Sequence, residues 1–430
     1  MPKIVVIGGG LSGCAAAAAA TKAGAKVTLL ERMEMLGGCG LYAGILSHEG
    51  YCFDEELRLM GCNDICALID GLNIHRKVYY PWPKKDGGSY KDMYNVTGID
   101  TALKEYLERA GVEIGLQSRA IDVQMEHGKI LSVTLDNGKE ITGDIFIDAT
   151  GGAGPIENCR KYGTGCAMCF FRCPAFGGRV SIAAKAGVKE LKGRRPDGAI
   201  GPTSAGTFMV KHTLSRELMK EVELKGVVIV PIPKELVNYD RNKSIGNSAN
   251  VEVGYAENIV LADIGAYAKR VAAGWAPLDD LRKVPGFEQV RYADPTAGTI
   301  GTAIRFMALT PRDEALKVPG VDNLFVASEK LGLIGLVSTI TAGTLAGHNA
   351  VRSAVGVAPL VLPTTTLIGF WLKYINDRWD NEGLKSRVHI RGPFLDRAKE
   401  IGLYTLDKDI LRSRIEELGL MNILSKTIVA

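Results

Sequence analysis

The chain has 430 residues, 46% hydrophobic and 23% charged, with a formal net charge of +4. That composition excludes a disordered or fibrous chain, leaves room for two or three domains with buried cores, and is too weakly basic to announce a nucleic-acid or membrane surface. Two counts stand out: 51 glycines, about twelve per cent against a usual ~7%, and nine cysteines, an odd number.

The opening residues carry no basic n-region or cleavage site, so a cytoplasmic, reducing location is expected, in which thiols need not pair. Lys3 to Ile7 is a β-branched run that fits a strand buried on both faces. Gly8-Gly9-Gly10-Leu11-Ser12-Gly13 follows it and matches G-x-G-x-x-G. In that motif Gly8 permits the tight turn, Gly10 lets backbone approach a pyrophosphate, and Gly13 lets the next helix pack on the strand. That helix is expected from Cys14 to Ala23, its amides and dipole facing a diphosphate. A second strand, Lys26 to Leu30, ends in Glu31 and Arg32; a carboxylate at Glu31 accepts both hydroxyls of an adenosine ribose and selects against NADP.

Gly37-Gly38-Cys39 comes next, then an expected helix from Glu55 to Leu72 with Cys62 and Cys66 one turn apart. Asp136-Asn137-Gly138 reads as a hairpin turn ahead of a buried strand ending in Ala149-Thr150-Gly151. Cys159, Cys166, Cys169 and Cys173 crowd the following stretch, where C-x2-C-x3-C-P suits a [4Fe-4S] cluster, zinc, reactive thiols or inert ones. Arg172, Arg179, Lys185, Lys189, Lys192, Arg194 and Arg195, with Phe170, Phe171 and Phe176 among them, fit an RNA loop, an anionic small molecule or a solvated face.

Asn323 to Ala327 is a further strand, followed by Glu329, Gly332, Gly335 and Leu336. The uncharged run from Leu331 to Gly347 is too short and too rich in Gly, Ser and Thr for a lipid span and reads as a buried helix, so no membrane is expected. Three separated segments at strand ends point to FAD rather than NAD alone. Its tail helices are expected around Thr365 to Arg378 and Asp407 to Leu418, as a cap or homodimer element.

Leu324-Phe325-Val326-Ala327, Ala342-Gly343-Thr344-Leu345-Ala346-Gly347-His348-Asn349-Ala350 and Val361-Leu362-Pro363-Thr364-Thr365-Thr366-Leu367-Ile368-Gly369 resemble GidA-type flavoproteins, the family of tRNA-modifying MnmG and TrmFO. Ser328-Glu329 stands where that family usually has Gly-Gln. The resemblance implies FAD, with methylenetetrahydrofolate and NAD(P)H as substrates, and two reactive cysteines. By position these are Cys173, in a Cys-Pro after Lys161-Tyr162-Gly163, and Cys52, twenty-one residues after Glu31. Cys39, where FAD reductases pass the isoalloxazine, reads as a further candidate or as a small buried thiol.

The expected fold is α/β: a Rossmann-like FAD-binding domain of the two-dinucleotide-fold type from residues 1–154 and 319–356, an inserted substrate domain at 155–318, and a helical cap at 357–430. The expected function is a FAD-dependent oxidoreductase working with cysteines, in a folate-linked one-carbon transfer or reduction. The alternatives are an iron-sulfur flavoprotein and an RNA- or partner-binding flavoprotein with structural FAD.

Overall fold

The computed structural model describes residues 1–42, 47–48, 51–80, 89–152, 176–192, 206–237, 257–271, 277–293, 308–379, 388–389 and 393–429. Five strands make one parallel sheet: β1 (Lys3–Ile7), β2 (Lys26–Leu30), β3 (Glu113–Gly115), β4 (Ile145–Asp148) and β5 (Leu324–Val326). Their spatial order is β5-β4-β1-β2-β3, with Ile4 beside Ile145 and Val27 and Phe146 beside Leu324. Side chains at the sheet centre, Ile4, Val5, Val6 and Leu29, are fully buried, as β-branched and aliphatic runs covered on both faces should be.

One face carries α1 (Leu11–Lys22) and α2 (Leu336–Ala354), which cross each other closely because both are lined with small residues. A Cβ on Gly343 would stand 2.0 Å from the Ser12 carbonyl oxygen, and one on Gly347 would stand 2.1 Å from that of Ala16. The glycine spacing of α2 is thus helix packing, and the buried alanines of α1 are its counterpart. Between β3 and β4 runs an antiparallel meander, Ala120–Glu126, Lys129–Leu135 and Glu140–Thr142, whose second turn holds Gly138 at φ +83°. Among the described residues no helix is long and apolar enough to cross a membrane.

The helix expected from Glu55 to Leu72 is two helices, Tyr51–Leu59 and Asp64–Gly71, separated at Gly61, which turns the chain at φ +89°. The first docks on α3 (Leu367–Asn376): Phe53 meets Trp371 edge to face at 5.5 Å, and Phe394 of the next helix packs 6.2 Å from Phe53. Within 206–271 a four-stranded antiparallel sheet with the helix Arg216–Lys225 encloses a second core around Met209, Val222, Leu261 and Phe287. It is tied to the strand Asn73–Tyr80 where Asp263 accepts from Lys211 at 3.1 Å and lies 2.8 Å from the His75 ring.

Candidate functional site: a dinucleotide pocket across the strand ends

Parallel strands leave their carboxyl ends along one edge, and the first turn of α1 presents amides there without intrahelical partners. A pocket open to solvent runs along this edge and is lined from the ends of β2, β1, β4 and β5 in turn. Gly8 leaves β1 at φ +110°, so close to β4 that a Cβ would lie 2.4 Å from the Ala149 carbonyl oxygen. Gly13 seats the helix just as tightly, its Cβ position being 1.8 Å from the Gly8 carbonyl oxygen. The loop is pinned from the other side by Glu31, whose carboxylate accepts from the Gly9 amide at 2.6 Å and the Met33 amide at 2.9 Å. Burial pushes the Glu31 carboxyl up, opposed by those two amides and by the Arg32 charge. Two amides leave lone pairs of this carboxylate for ribose hydroxyls.

Of the residues expected to hold the cofactor, Gly8, Gly10, Leu11, Ser12, Glu31, Arg32, Gly38, Ala149, Thr150, Gly151, Glu329 and Leu336 line this pocket. Gly13 instead sets the helix against the strand. Gly332 and Gly335 flank the turn into α2 without lining the pocket, Gly332 at φ +88° and Gly335 at φ +126°.

Behind Thr150 lies a buried charge cluster that sequence reasoning did not find. Lys330, with no solvent exposure, donates to Asp148 at 2.5 Å and to Ser181 at 2.7 Å, and stands 2.8 Å from Glu190. Burial would raise the Asp148 carboxyl, but the Lys330 ammonium overcomes it and holds Asp148 at about 2. Arg179 joins from the pocket side: its Nε donates to the Gly151 carbonyl at 2.6 Å and the Thr150 carbonyl at 3.1 Å. Its two terminal nitrogens are buried without a hydrogen-bond partner among the described residues, and Nη2 lies 3.9 Å from Glu190. Ser12 Oγ and Ser328 Oγ, also on the pocket wall, are buried and unpartnered too.

The cysteines separate by position. Cys39 lines the pocket and is partly exposed. Cys52 is buried outside the pocket, near Thr405 and Arg414, its thiol pushed up to about 12 by burial and by Glu56. Burial and Asp64 push Cys62 to about 12, and burial and Asp54 raise Cys66 as well. Cys14 is held inside α1, donating to the Gly9 carbonyl. Cys159, Cys166, Cys169 and Cys173 lie outside the described residues, as does Lys161-Tyr162-Gly163; among the described residues no group of three or more His, Cys, Asp or Glu could hold a metal ion.

The parallel sheet, the glycine turn, the ribose acid and the unpartnered donors fit FAD: Gly8 and Gly10 give the close backbone, α1 the amides, and Glu31 the ribose acceptor. The class is therefore the FAD-binding flavoproteins built on a Rossmann-like domain. Residues 3–154 match the family model described as FAD dependent oxidoreductase, and residues 278–358 match that of Glucose inhibited division protein A. The chain is similar to GidA-type FAD flavoproteins over these two stretches. Two crystal forms of Aquifex aeolicus GidA share the fold, with TM-scores of 0.63 and 0.61 at 16% identity, covering 97% of this chain and 76% and 78% of those chains. No curated protein matches at the level of sequence.

Proposed function

We propose that this FAD-dependent oxidoreductase couples its flavin to a single thiol, Cys39, acting on a small carbon or sulfur substrate. The observation that carries the reading is the place of Cys39: among the described cysteines it alone lines the dinucleotide pocket, directly after the Gly37-Gly38 turn that touches Gly10. When bound, FAD supplies the two-electron chemistry. The chain's part is to hold the diphosphate at α1 and the adenosine ribose at Glu31, and to present Cys39 at the pocket wall. A folate-linked one-carbon transfer, with NAD(P)H as reductant and RNA as acceptor, is the finer version of this proposal, supported by the family likeness of 278–358.

Single-turnover reduction and reoxidation of the bound flavin, with methylenetetrahydrofolate and with NAD(P)H, test it in Cys39→Ser, Cys52→Ser and Cys173→Ser proteins. Loss of product formation in Cys39→Ser with the flavin still bound and reducible supports the reading. Full product formation by Cys39→Ser, with loss in Cys173→Ser, would return the chemistry to Cys173.

A further inference from the structure

Residues 177–180 run between the two sides of the dinucleotide pocket, and three arginine side chains hold them there. On the side of β2 and β3, Arg32 donates from Nη1 to the Gly177 carbonyl at 2.5 Å, and Arg119, in the loop after β3, donates from Nε to the Gly178 carbonyl at 2.8 Å. On the side of β4, Arg179 itself donates to the carbonyls of Thr150 and Gly151. β2 and β4 flank β1 in the sheet, so the two sets of anchors belong to opposite sides of the Gly8 to Gly13 turn. Strands two places apart are ~10 Å apart, and three extended residues reach about that far. Arg32, Arg119, Arg179 and Val180 all line the pocket.

The way this segment is attached differs from that of the chain beyond it. Among the described residues, no backbone–backbone hydrogen bond reaches 177–180. From Ser181 onward the chain is fixed: the Ser181 hydroxyl bonds Lys330 and Glu190, and the Ala183 amide donates to buried Asp148. At the other end Gly177 stands at φ +74°. A short segment without ladder bonds, hung between a fixed end and a pair of glycines, opens at low cost. Charge-assisted bonds to its carbonyls are what keep it closed.

We propose that residues 177–180 form a strap that closes over the adenosine-diphosphate half of the cofactor, with Arg32 and Arg119 as its latch, and so sets how fast the dinucleotide enters and leaves. The proposal rests on the FAD assignment and concerns exchange, which recognition by Glu31 and α1 does not fix. Arg32 and Arg119 are positioning residues in this scheme, acting through the strap backbone.

Two variants open the strap from different sides. Arg119→Met removes one latch. Gly177→Ala displaces it, because the new Cβ would stand 2.6 Å from the Arg119 guanidinium carbon, while Gly177 itself does not line the pocket. Surface plasmon resonance on the immobilised apo protein gives association and release rate constants for FAD and for ADP. In both variants the two rate constants should rise together, about tenfold each and for both ligands, with dissociation constants changed by less than about threefold. Faster release with association as in wild type would mark a lost ligand contact and overturn the strap, as would Gly177→Ala exchanging both ligands at wild-type rates. Joint acceleration of ADP exchange in the variants, with no FAD binding by the wild type, would sink the FAD assignment and leave the strap standing.

Discussion

Asp148 ends β4 with no solvent exposure and is stabilised by the Lys330 ammonium, the Ala183 amide at 2.9 Å and the Thr150 hydroxyl at 2.7 Å. A buried pair of this kind adds little over an apolar pair, but removing one partner strands the other. Lys330→Met should therefore destabilise the fold by ~3–5 kcal/mol, read from urea unfolding, because Asp148 and Glu190 would lose the ammonium that touches both and keep only Arg179, 3.9 Å from Glu190. Arg179 stands at the edge of the same cluster, its Nη2 3.9 Å from Glu190 and its Nε on the Thr150 and Gly151 carbonyls. The one anionic group of FAD is its diphosphate, so Arg179→Gln, which removes a cation from the pocket lining, should weaken both FAD and ADP by about tenfold or more, measured by titration, with some loss of stability beside Glu190. The role of Arg179 was not readable from the pattern, since it stands in a basic run that fits a solvated face equally well.

Elements fared according to how local their signals are. The β1-turn-α1-β2 unit was legible because a tight turn, a close helix and a ribose acid each demand one residue type at one spacing. Gly332, Gly335, Gly343 and Gly347 share a segment but not a role: two shape the entry into α2, and two let α2 cross α1, which depends on a partner about three hundred residues away. Gly343→Ala should accordingly abolish cooperative unfolding or lower the melting temperature sharply, since its methyl would collide with backbone at Ser12. The break at Gly61 was missed because the apolar pattern continues on both sides of it.

The helix Tyr51–Leu59 carries a second consequence. Glu56 is fully buried and caps α3, accepting from the Leu367 amide at 2.7 Å and the Ile368 amide at 3.0 Å. Burial lifts its carboxyl from the ordinary 4.5 to about 7 despite those two amides. Between those values the folded chain holds a proton that the unfolded chain has released, so stability falls as pH rises from 4.5 to 7 and is flat beyond. Glu56→Gln keeps the volume and removes the titration. The wild type should lose about 2–3 kcal/mol relative to this variant between pH 4.5 and pH 7.5, measured by urea unfolding at each pH.

At the scale of the whole molecule, the pocket draws its walls from both ends of the chain: Ile7 to Gly40, Ser118 to Gly152, Arg179 and Val180, and Ser328 to Thr339. A ligand held by all four segments binds only when β1, β4, β5 and α2 are assembled, so its binding free energy adds directly to the stability of that assembly. At a hundredfold excess over its dissociation constant FAD should contribute about 2.7 kcal/mol, which for a chain of this length is a rise in melting temperature of roughly 3 °C. Riboflavin lacks the diphosphate that fits the first turn of α1 and the adenosine ribose that fits Glu31, and should give no such rise at the same concentration. ADP, which keeps both, should give part of it. Differential scanning calorimetry of the apo protein with each of the three ligands measures the series, and a riboflavin shift equal to that of FAD would show that the strand ends of β1 and β2 are not where the cofactor is held.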